Sequence, residues 1–161
     1  MFASKNWRIT VYALAAIAVT VADQLVKNAV VANLQPQVSY PFIGNLVHLY
    51  LIRNNSAAFS MGFGITWIFT IISSLAALGL VWYGLRVRNS VWALLTGIAT
   101  GGVLGNLIDR LFRAPGFPSG QVIDYIQIPF NFPIFNIADS AIVVVAAVVV
   151  ILVGRGSKIG G

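Results

Sequence analysis

Residues 134–153 read IFNIADSAIVVVAAVVVILV, an apolar run in which Asp139 is the one charged side chain. About 20 helical residues cross the hydrocarbon core of a bilayer, so this run is long enough to span a membrane. Three earlier stretches have the same character, and they run from about Ile9 to Val31, from about Ile65 to Tyr83 and from about Val91 to Ile108. The sequence therefore predicts a membrane α-helical protein with four transmembrane helices.

The composition agrees with lipid as the main solvent. Of the 161 residues, 58% are hydrophobic and 9% are charged, whereas a soluble domain carries roughly a quarter charged residues. The net charge of +6 is scattered among apolar runs, which favours membrane topology over nucleic-acid binding. There is no cysteine and one histidine, His48, so cysteine-ligated and histidine-rich metal sites are excluded. We expect His48 to be a surface or interfacial residue.

Basic residues indicate how the helices are oriented. Six of them flank the spans on one side: Lys5, Arg8, Arg86, Arg88, Arg155 and Lys158. Cytoplasmic loops carry an excess of Lys and Arg, so this side is predicted to be cytoplasmic, together with the N- and C-termini. An alternative for the first span is a cleaved signal peptide ending near Ala22, although the later spans already indicate a membrane protein.

Every carboxylate lies on the other side of the predicted membrane. The sequence has no glutamate, and its four aspartates are Asp23, Asp109, Asp124 and Asp139. The same side carries the four remaining cations, Lys27, Arg53, Arg110 and Arg113. Ionisable residues are expensive near lipid and are by default functional candidates. The segregation therefore predicts a functional site at the extracytoplasmic face.

Two segments on that side are predicted to form a small sheet. Asn45 to Arg53 alternates between two faces with a period of two, and Val122 to Ile128 is a short strand that carries Asp124. An interfacial anchor is expected from Phe59, Met61, Phe63 and Trp67. The sequence shows neither a repeat nor a linker, so residues 1–161 are predicted to form a single domain.

Asp124 and Asp139 allow two interpretations. The pattern Asn136-x-x-Asp139 is typical of helix capping, with a carboxylate favoured in the first turn. Alternatively, the two aspartates form a catalytic dyad, in which one carboxyl keeps a proton while the other stays charged. The charged carboxylate could deprotonate a water, and the protonated one could donate to a scissile carbonyl or a leaving amine. The helix N-terminus favours an ionised Asp139 as the base, but the assignment within the pair stays open.

Other polar residues on this side have structural and functional interpretations. Asp23 and Lys27 are four residues apart, which predicts an ion pair within one helix. Lys27 could instead activate Ser56 or Ser60, as in a Ser/Lys peptidase, although neither serine lies in a recognisable nucleophile turn.

The third span combines small and polar residues. Gly101, Gly102 and Gly105 predict close helix packing. Asn106 and Arg110 share a helical face and could hydrogen-bond a peptide backbone or orient an aspartate. Asp109 and Arg113, also four apart, could pair with each other.

Five motifs follow one another along nearly the whole chain: DQLVK at 23–27, RNNSAAFS at 53–60, GGVLGNLIDR at 101–110, GQVIDYI at 120–126 and FPIFNIADS at 132–140. In this order they resemble the lipoprotein signal peptidases, the signal peptidase II family of aspartyl membrane proteases. The last motif is highly specific for the family. Ser56 stands where many relatives have glycine, which bears on the backbone of that loop and leaves the two aspartates untouched.

The resemblance implies a four-helix membrane enzyme with an extracytoplasmic β-cradle, located in the bacterial plasma membrane. Such an enzyme cuts prolipoproteins just before a diacylglyceryl-modified cysteine. The family's catalytic dyad falls on Asp124 and Asp139. Its supporting residues fall on Asp23, Lys27, Asn54, Asn106, Arg110 and Asn136. The resemblance also implies a monomer among membrane lipids, inhibition by the cyclic peptide globomycin, and no metal or organic cofactor.

Two other classes of protein compete with this interpretation. A small transporter or channel could use the same carboxylates as a proton or cation path, but such a path would need polar residues on both sides of the membrane. A purely structural assembly protein would leave the four aspartates on one side unexplained.

Overall fold

The computed structural model describes residues 4–55 and 66–160, and these form four helices and three strands. In chain order the elements are α1 (Lys5–Asn33), β1 (Ser39–Ile43), β2 (Val47–Asn54), α2 (Thr66–Gly84), α3 (Ser90–Phe112), β3 (Val122–Gln127) and α4 (Ile137–Gly154). All four helices are long and apolar enough to cross a membrane. The predicted class, a four-helix membrane protein with a small sheet, is confirmed.

Local capping explains where the helices begin. The Ser4 side chain accepts a hydrogen bond from the Trp7 N–H at 3.2 Å, so α1 begins four residues before the predicted span. In contrast, α4 begins at Ile137, later than the apolar run. Phe135 is still paired with Ile126 of β3, and its N–H donates to the Ile126 carbonyl at 3.1 Å. The apolar run at 134–153 therefore includes the connection between the sheet and the helix.

Helix α3 lies at the centre of the bundle and packs against the other three helices. A Cβ atom on Gly101 would lie 2.7 Å from the Ala16 carbonyl of α1. On Gly102 it would lie 2.6 Å from the Ala138 carbonyl of α4. Because no side chain fits at either position, the predicted role of these glycines in close helix packing is confirmed.

The three strands form an antiparallel sheet in the order β1-β2-β3. Ile52 is opposite Asp124 in the pairing of β2 with β3. Four buried apolar side chains attach the sheet to the end of α1: Val30, Leu51, Ile123 and Tyr125. Both predicted strands are present, with ends shifted by one or two residues.

The predicted interfacial anchor is only partly within the described residues. Trp67 lies in the first turn of α2 and is 46% exposed. Phe59, Met61 and Phe63 lie outside the described residues. The same is true of the two serines considered as nucleophiles, Ser56 and Ser60.

Candidate active site

Asp124 and Asp139 meet at the junction of β3 and α4, where Asn136 contacts both. The Asn136 side-chain amide donates to Asp124 Oδ1 at 2.6 Å. Its oxygen accepts from the Asp139 N–H at 2.9 Å, and the Asn136 N–H donates to Asp139 Oδ2 at 3.2 Å. Asn136 and Asp139 thus form a capping box, as predicted, and the cap also brings the two carboxylates into one site.

Asp124 is almost completely enclosed, with 2% of its surface exposed. Its Oδ2 atom accepts a 2.7 Å hydrogen bond from the Asn54 side-chain amide, so both carboxyl oxygens have amide donors. Burial raises the pKa of Asp124 to about 6, and the nearby charge of Asp139 acts in the same direction. The hydrogen bonds from Asn54 and Asn136 partly oppose this rise. Asp124 therefore holds a proton far more readily than an ordinary aspartate.

Asp139 has a different environment, because it is half-buried and lies in the first turn of α4. Its Oδ1 atom accepts a 2.7 Å hydrogen bond from the Asn106 side-chain amide. The Asn106 oxygen accepts in turn from the Asn136 amide at 3.1 Å and from Lys27 Nζ at 2.9 Å. Asn106 thus orients Asp139 from α3, as predicted for one of its two possible roles.

Lys27 is completely buried and uses all three of its N–H groups. It donates to Asp23 at 2.7 Å, to Asp109 at 2.8 Å and to Asn106 at 2.9 Å. The predicted pair with Asp23 is confirmed, and Asp109 is a second carboxylate partner. A buried ammonium needs such partners, since an unpaired charge in this environment is strongly unfavourable.

The two carboxylate partners of Lys27, Asp23 and Asp109, fix the backbone beside the two candidate catalytic residues. Asp23 Oδ1 accepts from the Ala138 N–H at 3.0 Å, one residue before Asp139. Asp109 Oδ2 accepts from the Ile123 N–H at 3.2 Å, one residue before Asp124. One lysine therefore connects the two carboxylates that position β3 and the start of α4.

The sequence interpretation did not assign Asp109 to the site, although it lies within the GGVLGNLIDR motif. The predicted pair with Arg113 is present, and Gln24 also donates to Asp109 Oδ1 at 3.1 Å. Its four partners among the described residues are Gln24 and Lys27 of α1, Ile123 of β3 and Arg113 at the end of its own helix, so only the contact with Arg113 could be read from local spacing.

Arg110 is the remaining predicted site residue and lies on α3, one turn after Asn106. Its guanidinium donates to the Asn106 carbonyl at 3.4 Å and lies 6.0 Å from the centre of the Phe69 ring. Its charge also interacts with Asp139 and Asp124. The structure therefore brings all eight predicted site residues to one end of the bundle.

Within residues 4–55 and 66–160, the fully buried charged side chains, Asp23, Lys27, Asp109 and Asp124, all lie at this end of the bundle. Among the described residues, the buried polar side chains in the first half of α3 are Thr96 and Thr100. Their hydroxyls donate to the carbonyls of Trp92 and Thr96 of the same helix, both at 2.7 Å. This arrangement favours a site at one end of the helices over a transport path.

Two solved structures described as bacterial membrane enzymes, both determined by the in meso method, have the same fold. Their TM-scores are 0.77 and 0.78, each at 28% sequence identity. They cover 89% and 88% of this chain, and the similarity extends over 87% and 91% of theirs. The fold is therefore that of a bacterial membrane enzyme.

Residues 15–154 match the family model described as signal peptidase (SPase) II. The chain is 44% identical over 154 residues to the lipoprotein signal peptidase of Leifsonia xyli subsp. xyli. The matched region covers 95% of this chain and 71% of that relative. The chain is 41% identical over 137 residues to the lipoprotein signal peptidase of Mycobacterium tuberculosis strain H37Rv, with coverage of 85% and 67%. This multi-pass membrane protein belongs to the signal peptidase II family of proteases.

Proposed function

We propose that this protein is an aspartic endopeptidase that removes the signal peptide from bacterial prolipoproteins. It cuts the bond on the N-terminal side of a diacylglyceryl-modified cysteine. The substrate class is supported by the family to which the chain belongs. The catalytic type is supported by one observation above all, the two carboxylates joined through Asn136.

The two aspartates take different roles in this proposal. Asp139 is the base, because it is half-buried at a helix N-terminus, where a negative charge is favoured. Asp124 is the proton donor, because its burial raises its pKa to about 6, well above that of an ordinary aspartate. Water attacks the scissile carbonyl carbon and gives a proton to Asp139, while Asp124 donates its proton to the carbonyl oxygen. As the diol collapses, one of its hydroxyls returns a proton to Asp124, the C–N bond breaks, and Asp139 gives its proton to the leaving amine.

The supporting residues keep this geometry. Asn54, Asn106 and Asn136 donate to the two carboxylates and fix their orientation. Lys27 and Asp23 hold the backbone next to Asp139. Arg110 is proposed to hydrogen-bond the extended backbone of the substrate. A globomycin-type inhibitor is proposed to occupy the same groove.

The proposed position of the site follows from charge. The dyad lies at the extracytoplasmic face of the plasma membrane, because the six basic residues that indicate a cytoplasmic side are at the other end of the helices. The lipid anchor of the substrate then stays in the bilayer while its scissile bond reaches the dyad. Residues 1–161 are proposed to form a single domain that acts as a monomer. Its catalytic groups are proposed to be side chains of this chain.

The test is cleavage of a purified prolipoprotein with and without its diacylglyceryl group, followed by mass spectrometry of both products. We expect cleavage immediately before the modified cysteine and little cleavage of the unmodified substrate. Hydroxylamine added during turnover should trap no acyl hydroxamate, because water attacks directly. Cleavage at another bond would contradict the proposed specificity, and a trapped hydroxamate would contradict the mechanism.

A further inference from the structure

A second charged region lies at the end of the bundle opposite Asp124 and Asp139. It contains the six cations Lys5, Arg8, Arg86, Arg88, Arg155 and Lys158. All four carboxylate side chains of the sequence are at the other end, and the three ion pairs within the described residues all involve Asp23 or Asp109. This region, here called the basic end, therefore has no carboxylate side chain to balance its charge.

Hydrogen bonds bring three segments of the basic end together at Arg88. Arg8 Nη1 donates to the Arg88 carbonyl at 2.5 Å, which joins the start of α1 to the loop at 85–89. The Arg88 N–H donates to the Gly160 carbonyl at 3.3 Å, which joins the same loop to the C-terminal segment. Arg8 Nε is buried and has no hydrogen-bond partner among the residues described. The Arg8 side chain is therefore held against the backbone of Arg88 and keeps one buried donor without a partner, and Arg88 is exposed beside it.

An apolar groove of about 200 Å³ is lined in part by Tyr83 and Ile159, next to the Gly160 carbonyl that accepts from the Arg88 N–H. It runs between α2, α3 and α4, and Leu80, Trp92 and Val149 are among the residues that line it. Tyr83 lies on its wall and contacts Gly160, whose Cβ position is 2.7 Å from the Tyr83 hydroxyl. That hydroxyl is buried and unpartnered within the described part of the chain. Buried hydroxyls normally have a partner, so the groove carries an unused donor near its charged end.

We propose that the basic end binds one anionic phospholipid. Its phosphate is held by the guanidinium groups of Arg8 and Arg88, because arginine binds phosphate with two parallel hydrogen bonds and is always charged. An ester carbonyl of the lipid accepts from the Tyr83 hydroxyl, and one acyl chain lies in the apolar groove. A zwitterionic lipid is disfavoured, because its cationic headgroup would lie beside the two arginines.

The test is lipid binding to the whole protein in a neutral detergent, measured by native mass spectrometry. The protein is titrated with phosphatidylglycerol and with phosphatidylcholine of the same acyl chains. We expect one phosphatidylglycerol to bind about 10-fold more tightly than phosphatidylcholine. The double variant Arg8→Gln/Arg88→Gln should lower the phosphatidylglycerol affinity by about 10-fold or more. The Tyr83→Phe variant should weaken both lipids by a similar factor, because both carry the ester carbonyl.

The matched control is Arg155→Gln/Lys158→Gln, which removes the same charge from the same end. We expect it to change affinity by less than about three-fold, because a charge outside the site acts only through screened electrostatics. An equal loss of phosphatidylglycerol affinity in the two double variants would show that the lipid is attracted by the overall surface charge and not bound at a specific site. Equal affinity for the two lipids would overturn the proposal.

Two further arms keep the test decisive. Inorganic phosphate should not displace phosphatidylglycerol at comparable concentration, because it cannot use the groove or Tyr83; full displacement would indicate a phosphate site without lipid selectivity. If the double variant does not fold, as judged by thermal melting, Arg88→Gln replaces it, since the contacts of Arg88 with Arg8 and Gly160 use its backbone. An unchanged phosphatidylglycerol affinity in that variant would also overturn the proposal.

Discussion

The side-chain amide of Asn136 donates a 2.6 Å hydrogen bond to Asp124 across the junction between β3 and α4. The same side chain caps α4, because its oxygen accepts from the N–H of Asp139. Helix initiation and the relative position of the two carboxylates therefore depend on one residue. This double role can be separated experimentally, since different substitutions remove one part of it or both.

Replacement of Asn136 by serine should keep the helix cap and lose the contact with Asp124. We expect a loss of about 1–3 kcal/mol in the free energy of unfolding, because serine keeps the N-cap but lacks the buried amide that donates to Asp124 and Asn106. Cleavage should nevertheless fall by about 100-fold or more, because Asp124 loses a donor and its orientation. Asn136→Ala should lose both functions, with about 1 kcal/mol of additional destabilisation. Wild-type turnover by the serine variant would show that Asn136 is only a cap.

Replacement of Lys27 by methionine should destabilise the protein strongly. The change leaves the buried carboxylates of Asp23 and Asp109 without their shared cation, and breaking such a pair costs about 3–5 kcal/mol. Reversible unfolding in mixed micelles measures the loss. The variant that also carries Asp23→Asn and Asp109→Asn should recover part of the stability, because no buried charge then lacks a partner. If the losses of stability from the three substitutions simply add, the three side chains do not interact, and this result would contradict the network.

Asp124 should make the folded state less stable as the pH rises. Its pKa is raised from 3.8 to about 6, so the folded protein binds this proton more tightly than the unfolded chain does. The resulting stability is fully present below about pH 4 and is lost as the pH rises through about 6. The shift corresponds to about 3 kcal/mol. Unfolding should be measured between pH 4 and pH 7 for the wild type and for Asp124→Asn.

The Asp124→Asn variant lacks the titrating group, so its stability relative to the wild type should increase over that interval. Its absolute stability is a less direct readout, because an amide cannot accept from both Asn54 and Asn136. Identical pH dependence in the two proteins would show that Asp124 does not hold a proton in the folded state.

Replacement of Gly102 by alanine should disturb the site through α4. The new Cβ would lie 2.6 Å from the carbonyl of Ala138, one residue before Asp139, so the two helices must separate. We expect about 1–3 kcal/mol of destabilisation together with reduced cleavage. Gly79→Ala is the matched control, because nothing lies within 4 Å of its Cβ position and alanine favours a helix. Equal effects of the two substitutions would contradict this account of the packing.

Hydropathy was sufficient to predict the four spans, because each is a predominantly apolar run of suitable length despite a few polar residues. The start of α4 could not be predicted as accurately, since Phe135 is apolar yet pairs with Ile126 of β3, and hydropathy does not reveal that pairing. The role of Asp109 could not be predicted either. Its partners Lys27 and Ile123 come from other segments, so local spacing indicated only the pair with Arg113. The orientation in the membrane and the catalytic roles of Asp124 and Asp139 stay predictions.

The most direct test of the central claim compares turnover of a diacylglyceryl-modified prolipoprotein by the wild type, Asp124→Asn and Asp139→Asn. His48→Gln is the control, because His48 lies on β2 away from the dyad and contacts Ser39. We expect each dyad variant to lose about 1,000-fold or more of the cleavage rate while its thermal melt stays cooperative, and the control to keep the wild-type rate. Wild-type turnover by either folded dyad variant would contradict the aspartic mechanism.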